Sequence, residues 1–146
     1  MYFVERKKID DLLEYIDSLL VLFDRGKAFE TEIDQLALER LTQMLIESML
    51  DVGNMMIDGF IMRDPGSYHD IIHIMVDEGV LPEADKDGYI AVIDLRKMVV
   101  QDYVTIDHEL IFQVLAKYRQ RLGTFSTYIK TYLNNELGVA NAFTKT

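Results

Sequence analysis

No cysteine occurs in the 146 residues, which excludes disulfide bonds and thiolate chemistry. The absence is compatible with a reducing cytoplasm, the compartment in which the protein is expected to act. No apolar run approaches the ~20 residues needed to cross a bilayer, although 49% of the residues are hydrophobic. The opening "MYFVERKKIDDLL" lacks the charged-then-apolar layout of a signal peptide, so neither secretion nor membrane attachment is expected. Positive charge is scarce as well: 15 Lys and Arg stand against 25 Asp and Glu, a net charge of −10. That balance argues against sequence-blind binding of nucleic acid, which depends on neutralising phosphates, and DNA is not expected as a partner.

The charge is unevenly spread. Residues 28–95 carry three Lys or Arg against fifteen Asp or Glu, whereas residues 96–130 carry six against three. The six are Arg96, Lys97, Lys117, Arg119, Arg121 and Lys130. An acidic body with one basic segment could hold a polyanion locally, or could simply present the solvated basic face of a C-terminal helix.

The apolar residues are spaced for helix almost throughout. Ile9, Leu12, Leu13, Ile16, Leu19, Leu20 and Phe23 form one stripe at three- and four-residue steps, with Gly26 as its stop. A longer stripe runs through Ile33, Leu36, Leu41, Met44, Leu45 and Val52 to Met56 and closes near "RDPGS", where Pro65-Gly66 prevents continuation. Ser67 is placed to cap a third helix, with Asp70 at the capping-box position and Gly79 as the stop. Pro82 suits the first turn of a fourth helix through "YIAVIDLRKMVV". Asp107 can cap a last long helix whose buried face is Leu110, Ile111, Val114, Leu115, Tyr118, Leu122, Phe125 and Ile129. The pattern predicts an all-α fold: one domain, residues 1–146, of about five antiparallel helices in a bundle. Repeats, low-complexity segments and linkers are absent.

Few residues suggest chemistry. The eight methionines, among them Met44, Met49, Met55, Met56, Met62 and Met75, lie on or near helical stripes and are expected to fill core rather than line a binding groove. His69 and His73, four apart, project from one helix face, but zinc needs a third and usually a fourth ligand, and neither is evident. His108 is expected to be a surface or packing residue. The segment Glu83 to Asp94, "EADKDGYIAVID", imitates a calcium loop, with Glu83, Asp85 and Asp87 at positions 1, 3 and 5, Gly88 at 6 and Asp94 at 12. It departs at both ends, and an acidic helix start, where the dipole favours Asp and Glu, is the preferred reading over a calcium loop. No Gly-rich phosphate loop or Ser/His/Asp set can be assembled, and no cofactor or metal is expected.

What remains is "RKMVVQDYVTID", Arg96 to Asp107. Arg96 and Tyr103 are two helical turns apart and would share a face, with Gln101 offset from both. Metal-independent RNA cleavage needs a group to take the proton of a 2′-hydroxyl and a cation on the phosphate. The sequence here resembles the HepT-like branch of the HEPN proteins, in particular its YutE-like bacterial members. The likeness extends through "ERLTQMLIESMLDVGNMMIDGF", "DPGSYHDIIHIMVDEGVLP" and "LRKMVVQDYVTID", and so covers nearly the whole chain. The family motif is an Arg, four residues, a His, any residue and a Tyr. It falls on Arg96, Gln101 and Tyr103, with Gln where the His belongs and Lys97 where an Asn commonly follows the Arg.

The resemblance implies a helical bundle that forms a homodimer, with the two motifs facing one another in a cleft. Active members are toxins that cut RNA, often tRNA. Their partner is a nucleotidyltransferase-type antitoxin that can attach AMP to the motif tyrosine, here Tyr103. Arg96 would hold the phosphate, and Gln101 and Tyr103 would complete the site. A Gln amide does not titrate near neutral pH, so Gln101 can orient a group but cannot serve as base. Losing a general base typically removes ~10²–10⁴-fold in rate. The sequence therefore supports two readings, an altered ribonuclease and a non-catalytic scaffold that binds RNA, a nucleotide or a partner. His69, His73 and His108 lie outside the motif, and nothing in the sequence brings one of them to it.

Overall fold

Ile9, Leu13, Ile16, Leu20 and Phe23 are all buried, and this stripe forms the inner face of α1 (Arg6–Arg25). The computed structural model describes residues 4–144, and the side chains of residues 4–137. The helix α2 (Glu32–Gly59) is the longest and runs through the middle of the core, burying Leu38, Leu41, Leu45, Ile46, Met49, Val52, Met56 and Ile57. After it come α3 (Tyr68–Asp77), a 3-10 turn (Glu83–Asp85), α4 (Lys86–Ile93), a π turn (Lys97–Gln101), α5 (His108–Gly123) and α6 (Phe125–Thr144). No strand occurs among the described residues, so the all-α expectation holds. The helix α2 packs on α1 and α3, α4 on α3 and α5, and α6 returns to α1. No helix among the described residues is long and apolar enough to cross a membrane.

Local chemistry accounts for the helix ends. Ser67 Oγ accepts from the Asp70 N–H (3.1 Å) at the start of α3, and Asp107 Oδ1 accepts from the Leu110 N–H (3.0 Å) at the start of α5. Thr31 and Asp34 form a reciprocal capping box on α2 that the sequence reading passed over. The Asp70 carboxylate does not complete such a box. It turns instead to Arg63 (2.7 and 2.9 Å) and to the Gly66 N–H (2.8 Å), bracing the loop ahead of α3. Gly79, at φ +76°, stops α3 as expected.

The packing departs from expectation in three places. The last long helix breaks at Thr124, whose hydroxyl donates to the Arg121 carbonyl (3.0 Å), so its length is divided between α5 and α6. Phe125 and Ile129 are buried as expected, but on α6, where the Ser126 hydroxyl donates to Asp17 of α1 (3.0 Å). Ile33, Leu36 and Leu110, assigned to buried stripes, are 79%, 64% and 44% exposed, because they lie on the outer faces of α2 and α5, away from the buried Leu38 and Ile111. The methionines behave as core filler: Met49, Met56 and Met75 are fully buried, and Met44, Met55 and Met62 pack against the same core.

The calcium-loop alternative is overturned. Residues 83–94 fold as the 3-10 turn and α4 rather than as a loop, and three of their carboxylates are turned to separate side chains instead of converging. Glu83 pairs with Lys86 (2.9 Å), Asp85 with Arg121 (3.1 Å) and Asp94 with His69. Gly88 makes no sharp turn either. It sits inside α4, where a Cβ would come within 2.8 Å of the Tyr118 ring, so the glycine permits the close approach of α5.

Candidate functional site

The motif segment begins where α4 ends. Leu95 and Val99 are buried and anchor the chain to the core, so Arg96, Lys97 and Gln101 are left to its outer side. Between them the helix widens. The Asp102 N–H reaches back to the Lys97 carbonyl (3.0 Å), an i→i+5 bond that closes a π turn. A wider ring stacks residues five apart nearly above one another, which an α-helix does not do. Arg96 and Gln101 have that spacing, and both line one open cleft of about 350 Å³.

The helical segment ends at Gln101, so the two-turn argument for Tyr103 does not apply. Tyr103 lies in the turn beyond, 65% exposed, and is not among the residues that line the cleft.

Arg96 is held on two sides. Its Nε donates to Glu47 Oε1 of α2 (2.7 Å), and its guanidinium carbon lies 4.5 Å from the centre of the Tyr68 ring on α3. Its side chain is 21% exposed. No hydrogen bond to another described residue takes its terminal nitrogens, which remain available to an anion. Pairing and stacking together pre-order a guanidinium fork suited to a phosphate.

The other walls of the cleft are Ser67, Tyr68 and His69 from the start of α3, and Ile93 and Asp94 from the end of α4, with Lys97 beside Arg96. His69 Nε2 is hydrogen-bonded to Asp94 Oδ1. A histidine therefore does stand in the cleft, on a different helix from the motif. Tyr68, His69 and Glu47 carried no sequence signal that would have linked them to Arg96. Only the packing of α3 on α2 and α4 brings them there.

The remaining candidates fall elsewhere. His73 is half-buried on α3 and is not part of the cleft wall, and no group of three metal-ligating side chains forms among the described residues. His108 Nε2 bonds to Glu39 Oε2 of α2 (2.8 Å), and His108 lines a separate pocket with Phe29 and Phe112. The basic C-terminal segment is partly neutralised. Arg119 makes a two-pronged pair with Asp24 (2.8 Å each), and Arg121 is tied to Asp85 and the Ala84 carbonyl. The Arg119 bonds hold the Asp24 carboxyl below its ordinary range. These two arginines fasten α5 to α1 and to the start of α4, which leaves Arg96 and Lys97 as the cations of the cleft.

The Arg63 guanidinium, then the Gly66 N–H, lower the Asp70 carboxyl from 3.8 to about 2, a charged brace directly ahead of Tyr68 and His69. Burial pushes the Tyr89 phenol on α4 well above its ordinary value, and that ring packs edge-on to Phe125 at 5.6 Å.

An all-helical protein whose Arg-x4-Gln pair is gathered by a π turn into an anion-ready cleft is the class these observations define. The chain belongs to the family described as "Ribonuclease HepT-like", which it matches over residues 9–129. It is 45% identical over 143 residues to "Putative RNase YutE" of Bacillus subtilis (strain 168), covering 98% of this chain and 99% of that protein. The solved structure of YutE from Bacillus subtilis, described as a cytosolic protein of unknown function, superposes with a TM-score of 0.92 at 45% identity, over 94% of this chain and 96% of that one.

Proposed function

We propose that this protein acts on RNA through the cleft at Arg96, as a metal-independent ribonuclease of HEPN type in a toxin–antitoxin setting. The observation that carries this reading is the π turn that puts Arg96 and Gln101 on one cleft wall, with the guanidinium pre-ordered by Glu47 and Tyr68. The terminal nitrogens of Arg96 bind a phosphate oxygen as negative charge builds on it. Gln101 donates or accepts a hydrogen bond to orient the ribose or the phosphate, but moves no proton. The name of the Bacillus relative, an RNase, supports the substrate class, and its description as cytosolic supports a cytoplasmic setting.

A homodimer that sets two such clefts face to face is part of the same reading. So is a nucleotidyltransferase-type antitoxin that attaches AMP to Tyr103, for which the 65% exposure of that ring leaves room. A second reading, RNA binding without cleavage, is favoured by the amide at position 101.

The test is total tRNA incubated with the protein in EDTA, followed by both binding and fragment formation. The wild type binds tRNA, and Arg96→Ala weakens binding by roughly 10–100-fold, the value of one charge-assisted contact at about 1.5–3 kcal/mol. Fragments that disappear with Arg96→Ala support the ribonuclease. Binding without fragments supports the scaffold. Absence of binding by the wild type overturns both.

A further inference from the structure

We infer that His69, oriented by Asp94, is the proton-accepting group of this cleft and takes the part that Gln101 cannot. The inference rests on the RNA-directed reading of the site and deepens it. Its basis is a juxtaposition: an imidazole bonded to a carboxylate stands in the same cleft as Arg96 and Gln101, although it comes from α3 rather than from the motif segment.

The bond to Asp94 decides which ring nitrogen works. An ionised carboxylate can only accept, so Nε2, which faces Asp94 Oδ1, carries the hydrogen. Nδ1 then keeps its lone pair and is the acceptor. Imidazole exchanges a proton near neutral pH, which an amide does not. The charged and titratable groups that line the cleft with the ring are Asp94, which it is bonded to, Arg96, Lys97 and Tyr68. His73 lies one turn further along α3, outside the cleft wall. With side chains 46% and 58% exposed, His69 and Asp94 are open to a bound polynucleotide.

In the step itself, His69 Nδ1 accepts the proton of a ribose 2′-hydroxyl. The O2′ oxygen attacks the adjacent phosphorus, whose non-bridging oxygens lie on Arg96, and the O2′–P bond forms. The P–O5′ bond breaks with its electron pair on O5′, which receives the proton back from His69 through solvent water. The products are a 2′,3′-cyclic phosphate and a 5′-hydroxyl end. No oxidant, reductant or co-substrate is consumed. Asp94 touches no reacting atom and is a positioning residue that holds the ring tautomer.

The experiment compares wild type, His69→Ala, His69→Gln, Asp94→Asn and Asp94→Glu on total tRNA in EDTA, following binding and cleavage separately. His69→Ala is expected to lose roughly 10²–10⁴-fold in cleavage rate while binding tRNA within about twofold of wild type. Added imidazole restores part of that rate. Asp94→Asn lowers kcat without raising KM, and Asp94→Glu recovers most of the loss. His69→Gln carries the same test should the alanine variant melt early. Cleavage by His69→Ala at the wild-type rate would overturn the inference and leave the proposed ribonuclease standing. Loss of cleavage with equal loss of binding and no imidazole rescue would also overturn it, marking His69 as structural. Wild type that binds tRNA but never cuts it removes the base and leaves a binding cleft. Wild type that does not bind removes the underlying reading as well.

Discussion

The Arg96 guanidinium lies 4.5 Å from the centre of the Tyr68 ring while its Nε donates a 2.7 Å bond to Glu47, so three helical segments converge on one cation. Glu47 comes from the middle of α2, Tyr68 opens α3, and Arg96 leads into the π turn. Such convergence fixes the direction of the guanidinium more firmly than either contact could alone.

Tyr68 acts through its ring face, so Tyr68→Phe should be silent. Tyr68→Ala should cost about 0.5–1 kcal/mol, the range for a cation over an exposed aromatic ring. Glu47→Ala should cost about 1 kcal/mol, since the pair is partly open to solvent. Urea unfolding of the three variants checks these values. Equal losses from Tyr68→Phe and Tyr68→Ala would assign the effect to the hydroxyl instead.

Asp70 ties stability to acid. Its carboxyl is held at about 2 in the folded chain, first by the Arg63 guanidinium and then by the Gly66 N–H, against an ordinary value of 3.8. A folded value below the unfolded one stabilises the protein above pH 3.8. That contribution fades as pH falls toward 2 and is gone below it. Asp70→Asn should therefore melt earlier than wild type at pH 7, and the gap between the two should close across that acid window. A gap independent of pH would refute the charge argument.

Gly53 sets how closely α3 can approach α2. A Cβ at this position would lie 2.4 Å from Ile71 Cγ2 and 3.1 Å from Met75 Cε. Gly53→Ala should cost about 1–3 kcal/mol through overpacking. It should also push α3, and with it Tyr68 and His69, away from Arg96. Thermal melts report the first effect, and weakened tRNA binding reports the second. An unchanged melting temperature would mean that the two helices yield without cost.

Asp85 belongs to a tertiary ion pair and not to a calcium loop. Its side chain is 14% exposed and pairs with Arg121. Asp85→Ala should therefore lower stability by about 1 kcal/mol whether or not calcium is present. The wild-type melting temperature should stay flat as millimolar Ca²⁺ is added. A rise in wild type that Asp85→Ala abolishes would restore the calcium reading.

Residue patterns of short range were legible in advance. The stripe from Ile9 to Phe23, the caps at Ser67 and Asp107, the stop at Gly79 and the methionine-filled core all follow from neighbours within about a turn of helix. Periodicity alone was less reliable near helix ends, where Ile33 and Leu36 fit the stripe but nothing packs over them. The motif residues were also recognisable, because a spacing of five between Arg96 and Gln101 is written in the chain. That this spacing becomes one wall of a cleft was not, since an α-helix would turn the two side chains apart and only a π turn aligns them.

By itself, then, the sequence determined the helical class, most helix ends, the apolar core and the family motif, because each depends on residues close along the chain. The tertiary structure alone decided what surrounds the motif. His69 meets Asp94 across 25 residues and Arg96 meets Glu47 across 49, and such contacts exist only once α2, α3 and α4 have packed. It also decided that Arg119 and Arg121 join helices to one another, although the sequence presents them as part of a basic run. Charge and residue type are properties of the chain, whereas the partner of each charged group is set by which helix faces meet.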